Sequence, residues 1–172
     1  MGFGPVGRLS PHGLSHVASG RRPSPDVRVG SQTTWAGLAP GSRVLVDTAP
    51  FIYILESHPV LADRFAGVFE SAAKGELTIA LSTITIAEVL TGPANAGLTA
   101  LAKRYEKALC QYEVVPVTAP VAALAAQLRA QHRLRLPDAL QLACALEIGA
   151  AALITHDRDF SRVTALPILG CG

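Results

Sequence analysis

Four acidic side chains in this 172-residue chain could together hold a divalent cation. They lie near predicted strand ends or helix starts and are Asp47, Glu88, Asp138 and Asp157. In a parallel α/β sheet, ligands bind outside the carboxyl ends of the strands, where loops and helix N-termini face one crevice. Clustered carboxylates repel one another unless cations neutralise them, and such hard oxygen ligands select Mg²⁺ or Mn²⁺. A site of this kind suits hydrolysis of a phosphodiester bond by a metal-activated water molecule.

Each acid also has a structural interpretation, which the sequence leaves open. Asp47 and Asp157 could cap the helices that follow them, and Asp138 would interact favourably with a helix dipole. Glu88 could belong to a capping box that begins at Thr85. We favour the metal site because all four acids fall at the same predicted edge of the sheet.

The segments that must position these acids alternate between strand and helix patterns. The predicted strands are 43–47, 77–81, 114–117, 152–155 and a short 166–169. The predicted helices are 50–56, 60–74, 83–90 (ended by Gly92 and Pro93), about 94–111, 120–132 and 137–148. This alternation predicts an α/β fold: a three-layer α/β/α domain around a central, mainly parallel sheet of four to five strands.

The charge of the chain is unevenly distributed. Residues 1–40 carry four Arg and one Asp, whereas residues 41–172 carry 11 basic and 12 acidic side chains. The first range is also rich in Gly and Pro and lacks a sustained hydrophobic period. We therefore expect a disordered N-terminal extension at 1–40 and a single folded domain at 41–172.

Composition excludes several classes of protein. The chain is 49% hydrophobic, which is too apolar for disorder along its whole length. No apolar run reaches the roughly 18 residues that a membrane span needs. The three cysteines, Cys110, Cys144 and Cys171, are odd in number and widely spaced, unlike a disulfide framework or a zinc site. We expect a soluble protein of the cytoplasm with no membrane partner.

Four segments of the chain resemble a PIN domain and, within that family, the VapC-type ribonuclease toxins of bacterial toxin–antitoxin pairs. They occur in the family's order within residues 43–169 and are 44–48 with 52–55, 81–90, 136–143 and 153–160. The resemblance implies a PIN-like nuclease domain and a metal-dependent endoribonuclease. It also implies a cognate antitoxin protein that holds the toxin inactive, and a homodimer.

The resemblance further implies roles for the acids. Asp47 and Asp138 would be the main ligands of Mg²⁺ or Mn²⁺, and Asp157 would complete the site. Glu88 would hold or orient metal-bound water, and Asp159 is a further candidate ligand.

Three hydroxyl side chains could orient the carboxylates. Thr48 and Thr155 are the candidates that we favour as donors. Ser82 could act in the same way, although we favour a helix cap as its role.

RNA binding would need local cations, because residues 41–172 are slightly acidic. Arg133, Arg135 and Arg158 flank the acidic motifs and are the candidate contacts to RNA phosphate, with ordinary surface exposure as the alternative.

Other functions remain open. They are a solitary RNA-processing nuclease and a catalytically silent PIN-like module that binds protein. A phosphatase with an aspartate nucleophile is disfavoured, since Asp47 is followed by Thr48 and Ala49 rather than by an Asp-x-Asp pattern.

Overall fold

The computed structural model describes residues 35–170. Its strands are β1 (Ser42–Val46), β2 (Leu77–Ser82), β3 (Glu113–Val115), β4 (Ala152–Ile154) and β5 (Ile168–Leu169). They form one sheet in the order β3-β2-β1-β4-β5, and every neighbouring pair is parallel. The predicted parallel sheet is confirmed, with five strands.

Helices cover both faces of this sheet. They are α1 (Thr48–Leu55), α2 (Leu61–Ala73), α3 (Thr83–Asn95), α4 (Thr99–Leu109), α5 (Ala119–His132) and α6 (Leu136–Glu147). Leu45 of β1 belongs to a core cluster with residues of α5 and α6, whereas Val44 and Val46 belong to a cluster with residues of α1 to α4. Alternate side chains of one strand therefore face opposite helix layers, and the α/β/α architecture is confirmed.

The central position of β1 determines where the candidate site forms. Val44, Leu45 and Val46 are fully buried, as expected for a parallel strand covered on both faces. β1 pairs with β2 on one side and β4 on the other. The backbone N–H of Asp47 donates to the carbonyl of Ile154 at 2.9 Å, so the chain segments that leave β1 and β4 begin side by side.

The predicted stop of the third helix at Gly92 and Pro93 is wrong, because α3 continues to Asn95. A proline near the end of a helix removes only one backbone hydrogen bond, and the Pro93 ring is buried against the domain. The break comes instead at Gly97, which has a φ of +68°. For that reason α4 begins at Thr99 rather than near residue 94.

Two other boundaries move for local reasons. α1 begins at Thr48, before the predicted position, because Asp47 caps it and Pro50 fits the first turn, where no backbone donor is needed. β3 ends at Val115, because Pro116 has no N–H to continue the ladder.

The predicted N-terminal extension falls mostly outside the described residues, which exclude 1–34 as well as Cys171 and Gly172. Within the range 35–40, Trp35 and Leu38 pack against the core cluster of α1 to α4. No helix in the described part of the chain is both long and apolar enough to cross a bilayer.

Candidate active site

Asp47 lies directly after β1 and caps α1. Its Oδ1 accepts a hydrogen bond from the Thr48 backbone N–H at 2.7 Å, and its Oδ2 accepts one from the Thr155 hydroxyl at 2.7 Å. The pKa of Asp47 is raised to about 6, mainly by burial and also by the charges of Glu88 and Asp138, against the lowering effect of these two donors. The capping interpretation and a role in the site are therefore compatible for this residue.

Hydrogen bonds from Thr48 connect Glu88 to Asp47. The side chain of Glu88 projects from α3, and its Oε2 accepts a hydrogen bond from the Thr48 hydroxyl. The backbone N–H of Thr48 donates to Asp47, so one residue contacts both carboxylates. Glu88 is not the acid of a capping box that starts at Thr85, because α3 is capped by Ser82, whose Oγ accepts from the Thr85 N–H at 3.2 Å.

Three further acids form a compact group beside Asp47. Asp138, Asp157 and Asp159 each offer a carboxylate oxygen, and these oxygens lie within 4.8 Å of one another. Asp138 lies in the first turn of α6 and is buried. Asp157 caps the 3-10 turn Arg158–Arg162, where its Oδ1 accepts from the Asp159 N–H at 2.8 Å. The loop after β4 therefore brings two acids to the N-terminus of α6.

Thr155 connects this group to Asp47. The Thr155 hydroxyl donates to Asp47 Oδ2 and accepts from the backbone N–H of Asp157 at 3.0 Å. Thr155 is fully buried. A single hydroxyl thus fixes the relative position of the acids that follow β1 and β4.

Arg135 neutralises part of the acidic group. Its Nε donates to Asp138 Oδ2 at 2.9 Å, and its Nη2 donates to Asp138 Oδ1 at 3.4 Å and to Asp157 Oδ2 at 2.9 Å. Burial raises the pKa of Asp138 even though Arg135 acts to lower it. The Arg135 side chain is 69% exposed, so it can leave the acids without disrupting the core.

The other candidate RNA contacts lie at the surface. Arg133 ends α5 in the left-handed conformation, with a φ of 56°. Arg133 and Arg158 are both exposed.

Sequence reasoning missed Gln141, which lies one turn after Asp138 on the same side of α6. It is buried and contacts Thr48, Ser82 and Thr85. A polar residue inside the apolar run of α6, three positions after a candidate ligand, is the signal that could have identified it.

The donor set fits a hard divalent cation. The group that could hold an ion consists of carboxylates alone, the ligands that Mg²⁺ and Mn²⁺ prefer. Asp47 and Glu88 are outside that group, yet Asp47 interacts electrostatically with Glu88 and Asp138. The raised pKa of Asp47 reflects burial first and then the negative charges of Glu88 and Asp138, and a bound cation would offset both effects.

Comparison with protein families identifies one match: the model of the PIN domain matches residues 44–166. This range includes all five acids and the sheet from within β1 up to the segment before β5. Comparison with curated protein sequences gives no match.

Several solved structures share the fold. VapBC2 of Rickettsia felis, bound to a promoter DNA fragment, is 23% identical with a TM-score of 0.61, covering 73% of this chain and 96% of its own. A toxin–antitoxin complex of Klebsiella pneumoniae is 25% identical with a TM-score of 0.59, covering 72% and 94%. VapC20 of Mycobacterium tuberculosis, a toxin that cleaves the sarcin–ricin loop, is 18% identical with a TM-score of 0.56, covering 69% and 92%.

Proposed function

The chain belongs to the PIN domain family, and from that premise we propose that it is a metal-dependent endoribonuclease of the VapC toxin type. One observation carries the proposal: the carboxylates of Asp138, Asp157 and Asp159 converge within 4.8 Å, next to Asp47, at the carboxyl edge of a parallel sheet. A structural cap would explain any one of these acids. It would not explain why acids from three separate segments of the chain converge: the end of β1, the first turn of α6 and the loop after β4.

Asp47, Asp138 and Asp157 are the residues that we assign to Mg²⁺ or Mn²⁺. Asp159 joins them as a fourth candidate, because its oxygen lies in the same group as those of Asp138 and Asp157. Glu88 is assigned to the orientation of a water molecule, because it faces Asp47 across Thr48 rather than belonging to the compact group.

When bound, the metal would activate water and neutralise charge on the phosphate. The protein contributes the geometry. Thr155 and Thr48 hold the buried Asp47 carboxylate with two hydrogen bonds, which favour its charged form. Glu88 is exposed at the mouth of the site, where it can accept a proton from a water molecule that approaches the phosphorus.

RNA contacts are assigned to Arg133, Arg135 and Arg158. Arg135 has a second role, because its guanidinium pairs with Asp138 and Asp157 when those carboxylates would otherwise repel each other. Transfer of this guanidinium from carboxylate to phosphate would keep Arg135 in charge-assisted hydrogen bonds, while a bound cation would neutralise the carboxylates that it leaves.

The ribonuclease proposal can be tested by incubating the purified protein with total RNA in Mn²⁺, in Mg²⁺ and in EDTA. We expect cleavage only with metal, and none from Asp47→Asn or Asp138→Asn. Asp63→Asn is the matched control, since Asp63 is an exposed acid in the first turn of α2, as Asp138 is in α6. Cleavage in EDTA, or by both site variants, would reject the proposal.

The toxin proposal adds a partner and a compartment. The structure from Klebsiella pneumoniae is a toxin–antitoxin complex, and this supports a cognate antitoxin protein for this chain. We also propose a homodimer and a cytoplasmic location, where RNA is accessible. Expression of the chain in a bacterium should arrest growth, expression of Asp138→Asn should not, and co-expression of a cognate antitoxin should restore growth.

A further inference from the structure

Gln141 is a buried polar residue behind the acids. Its side chain is on α6, one turn after Asp138, and it is only 1% exposed. Nε2 donates to Thr48 Oγ1 at 3.2 Å and to Thr85 Oγ1 at 2.9 Å. Oε1 accepts from Ser82 Oγ at 2.8 Å. The amide thus uses both donors and its acceptor on hydroxyls from α1, α3 and the end of β2.

These contacts determine the direction of the Thr48 proton. An amide nitrogen can only donate, so Thr48 Oγ1 accepts from Gln141 and its single proton is left for the Glu88 carboxylate. The opposite orientation of the amide would place two acceptors, Gln141 Oε1 and Glu88, against that one proton. Ser82 stabilises the observed orientation, because its own proton goes to Oε1 while its oxygen accepts from the Thr85 N–H.

Resting on the proposed function, we propose that Gln141 is a positioning residue that holds Glu88 towards Asp47 through Thr48. Glu88 is an exposed side chain on a helix surface, where a long carboxylate samples several rotamers. The Thr48 hydroxyl restrains it, and Gln141 orients that hydroxyl. The assignment extends the candidate site inward, from the acids to a buried hydrogen-bond network that joins α6 to α1 and α3.

The experiment must distinguish this positioning role from a purely stabilising role of Gln141. A fully satisfied buried network also contributes to stability, and removal of one member leaves the other hydroxyls without partners. Loss of stability alone therefore does not distinguish the two roles. The affinity of the folded protein for metal does, because groups that orient ligands and bound water change that affinity.

The test uses Gln141→Met, which keeps the length of the side chain and removes its polar atoms. Thr48→Val and the double variant complete a cycle, and Gln127→Met at an exposed position of α5 is the control. Mn²⁺ affinity is measured by electron paramagnetic resonance, at a temperature at which circular dichroism shows every variant folded. Where Gln141→Met does not fold, the shorter Gln141→Leu takes its place.

We expect Gln141→Met to weaken Mn²⁺ binding by about tenfold. Thr48→Val should have a similar effect, and the double variant should be no weaker than Thr48→Val, because both changes act through one hydroxyl. The positioning role would be overturned if a less stable Gln141→Met variant kept wild-type Mn²⁺ affinity, or if the losses of Mn²⁺ affinity added up in the double variant. Either result would leave the proposed function standing. A wild-type protein that binds no Mn²⁺ and cleaves no RNA would instead refute the proposed function, and the positioning role with it.

Discussion

The Thr155 hydroxyl donates a 2.7 Å hydrogen bond to Asp47 Oδ2 and links the segments that follow two adjacent strands, β4 and β1. The same hydroxyl accepts from the Asp157 backbone N–H. One buried hydroxyl therefore holds the Asp47 carboxylate on one side of the candidate metal site and the backbone of Asp157 on the other. Its removal should affect both.

Thr155→Val should lower the free energy of unfolding in EDTA by about 1–3 kcal/mol, because the buried Asp47 carboxylate and the Asp157 N–H each lose a partner. Thr155→Ser keeps the hydroxyl and should recover most of this loss. Urea unfolding measures both effects. Thr164→Val, at an exposed position, is the control, and an equal effect from Thr155→Val and Thr164→Val would contradict the prediction.

The pKa of Asp47 predicts a pH dependence of stability without metal. Burial raises this pKa from 3.8 to about 6, so the folded protein retains a proton that the unfolded chain has already released. The contribution of Asp47 to the free energy of unfolding therefore falls as pH rises from about 4 to about 6, by up to about 3 kcal/mol.

Asp47→Asn removes this titration. In EDTA the variant should gain stability relative to wild type as pH rises from 4 to 7, with most of the gain complete by pH 7. Urea unfolding at four pH values measures the difference. A constant difference between the two proteins would contradict the assignment of the raised pKa to Asp47.

Arg135 pairs with the carboxylates that we assign to metal, so it should compete with the cation. Arg135→Met should tighten Mn²⁺ binding by about two- to fivefold, since ion pairs with so exposed a partner contribute roughly 0–1 kcal/mol. It should also raise the KM for RNA, because the phosphate contact that we propose for Arg135 would be lost. Isothermal titration with Mn²⁺ measures the first effect, and Arg129→Met, at an exposed position of α5, is the control. Unchanged or weaker Mn²⁺ binding by Arg135→Met would refute the competition.

Trp35 is the only tryptophan and reports on the packing of residues 35–40. A Cβ atom on Gly67 of α2 would lie 2.4 Å from Trp35 Cδ1, so Gly67→Ala must displace the indole. We expect emission at longer wavelength and a loss of about 1–3 kcal/mol of stability. Gly92→Ala is the control, because a Cβ there meets no atom within 4 Å. Identical emission from both variants would show that Trp35 does not pack on α2.

Much of the fold could be predicted because its signals are local. Apolar runs such as Val44–Val46 identify buried parallel strands, and the helical periods between them determine the layers. The helix ends were less predictable. Pro93 has a strong local signal for a helix stop, but its burial and the left-handed Gly97 moved the end of α3.

The sequence predicts the acids of the candidate site and the Thr48 and Thr155 hydroxyls that donate to two of them. Asp47 and Asp138 follow recognisable strand and helix signals, so their convergence follows from topology. The contact of Arg135 with Asp157 and that of Gln141 with Thr48 join residues 22 and 93 positions apart. No local pattern encodes such pairs, because they depend on how α6 packs against the ends of β1 and β4.

The central claim is that the clustered acids hold the metal that supports RNA cleavage. The most direct test measures Mn²⁺ binding and cleavage of a labelled RNA in one titration, for wild type, Asp138→Asn and Asp63→Asn. We predict that cleavage rises with Mn²⁺ occupancy in wild type and Asp63→Asn, and that Asp138→Asn loses both. Cleavage by Asp138→Asn at the wild-type rate, or cleavage by wild type in EDTA, would contradict the claim.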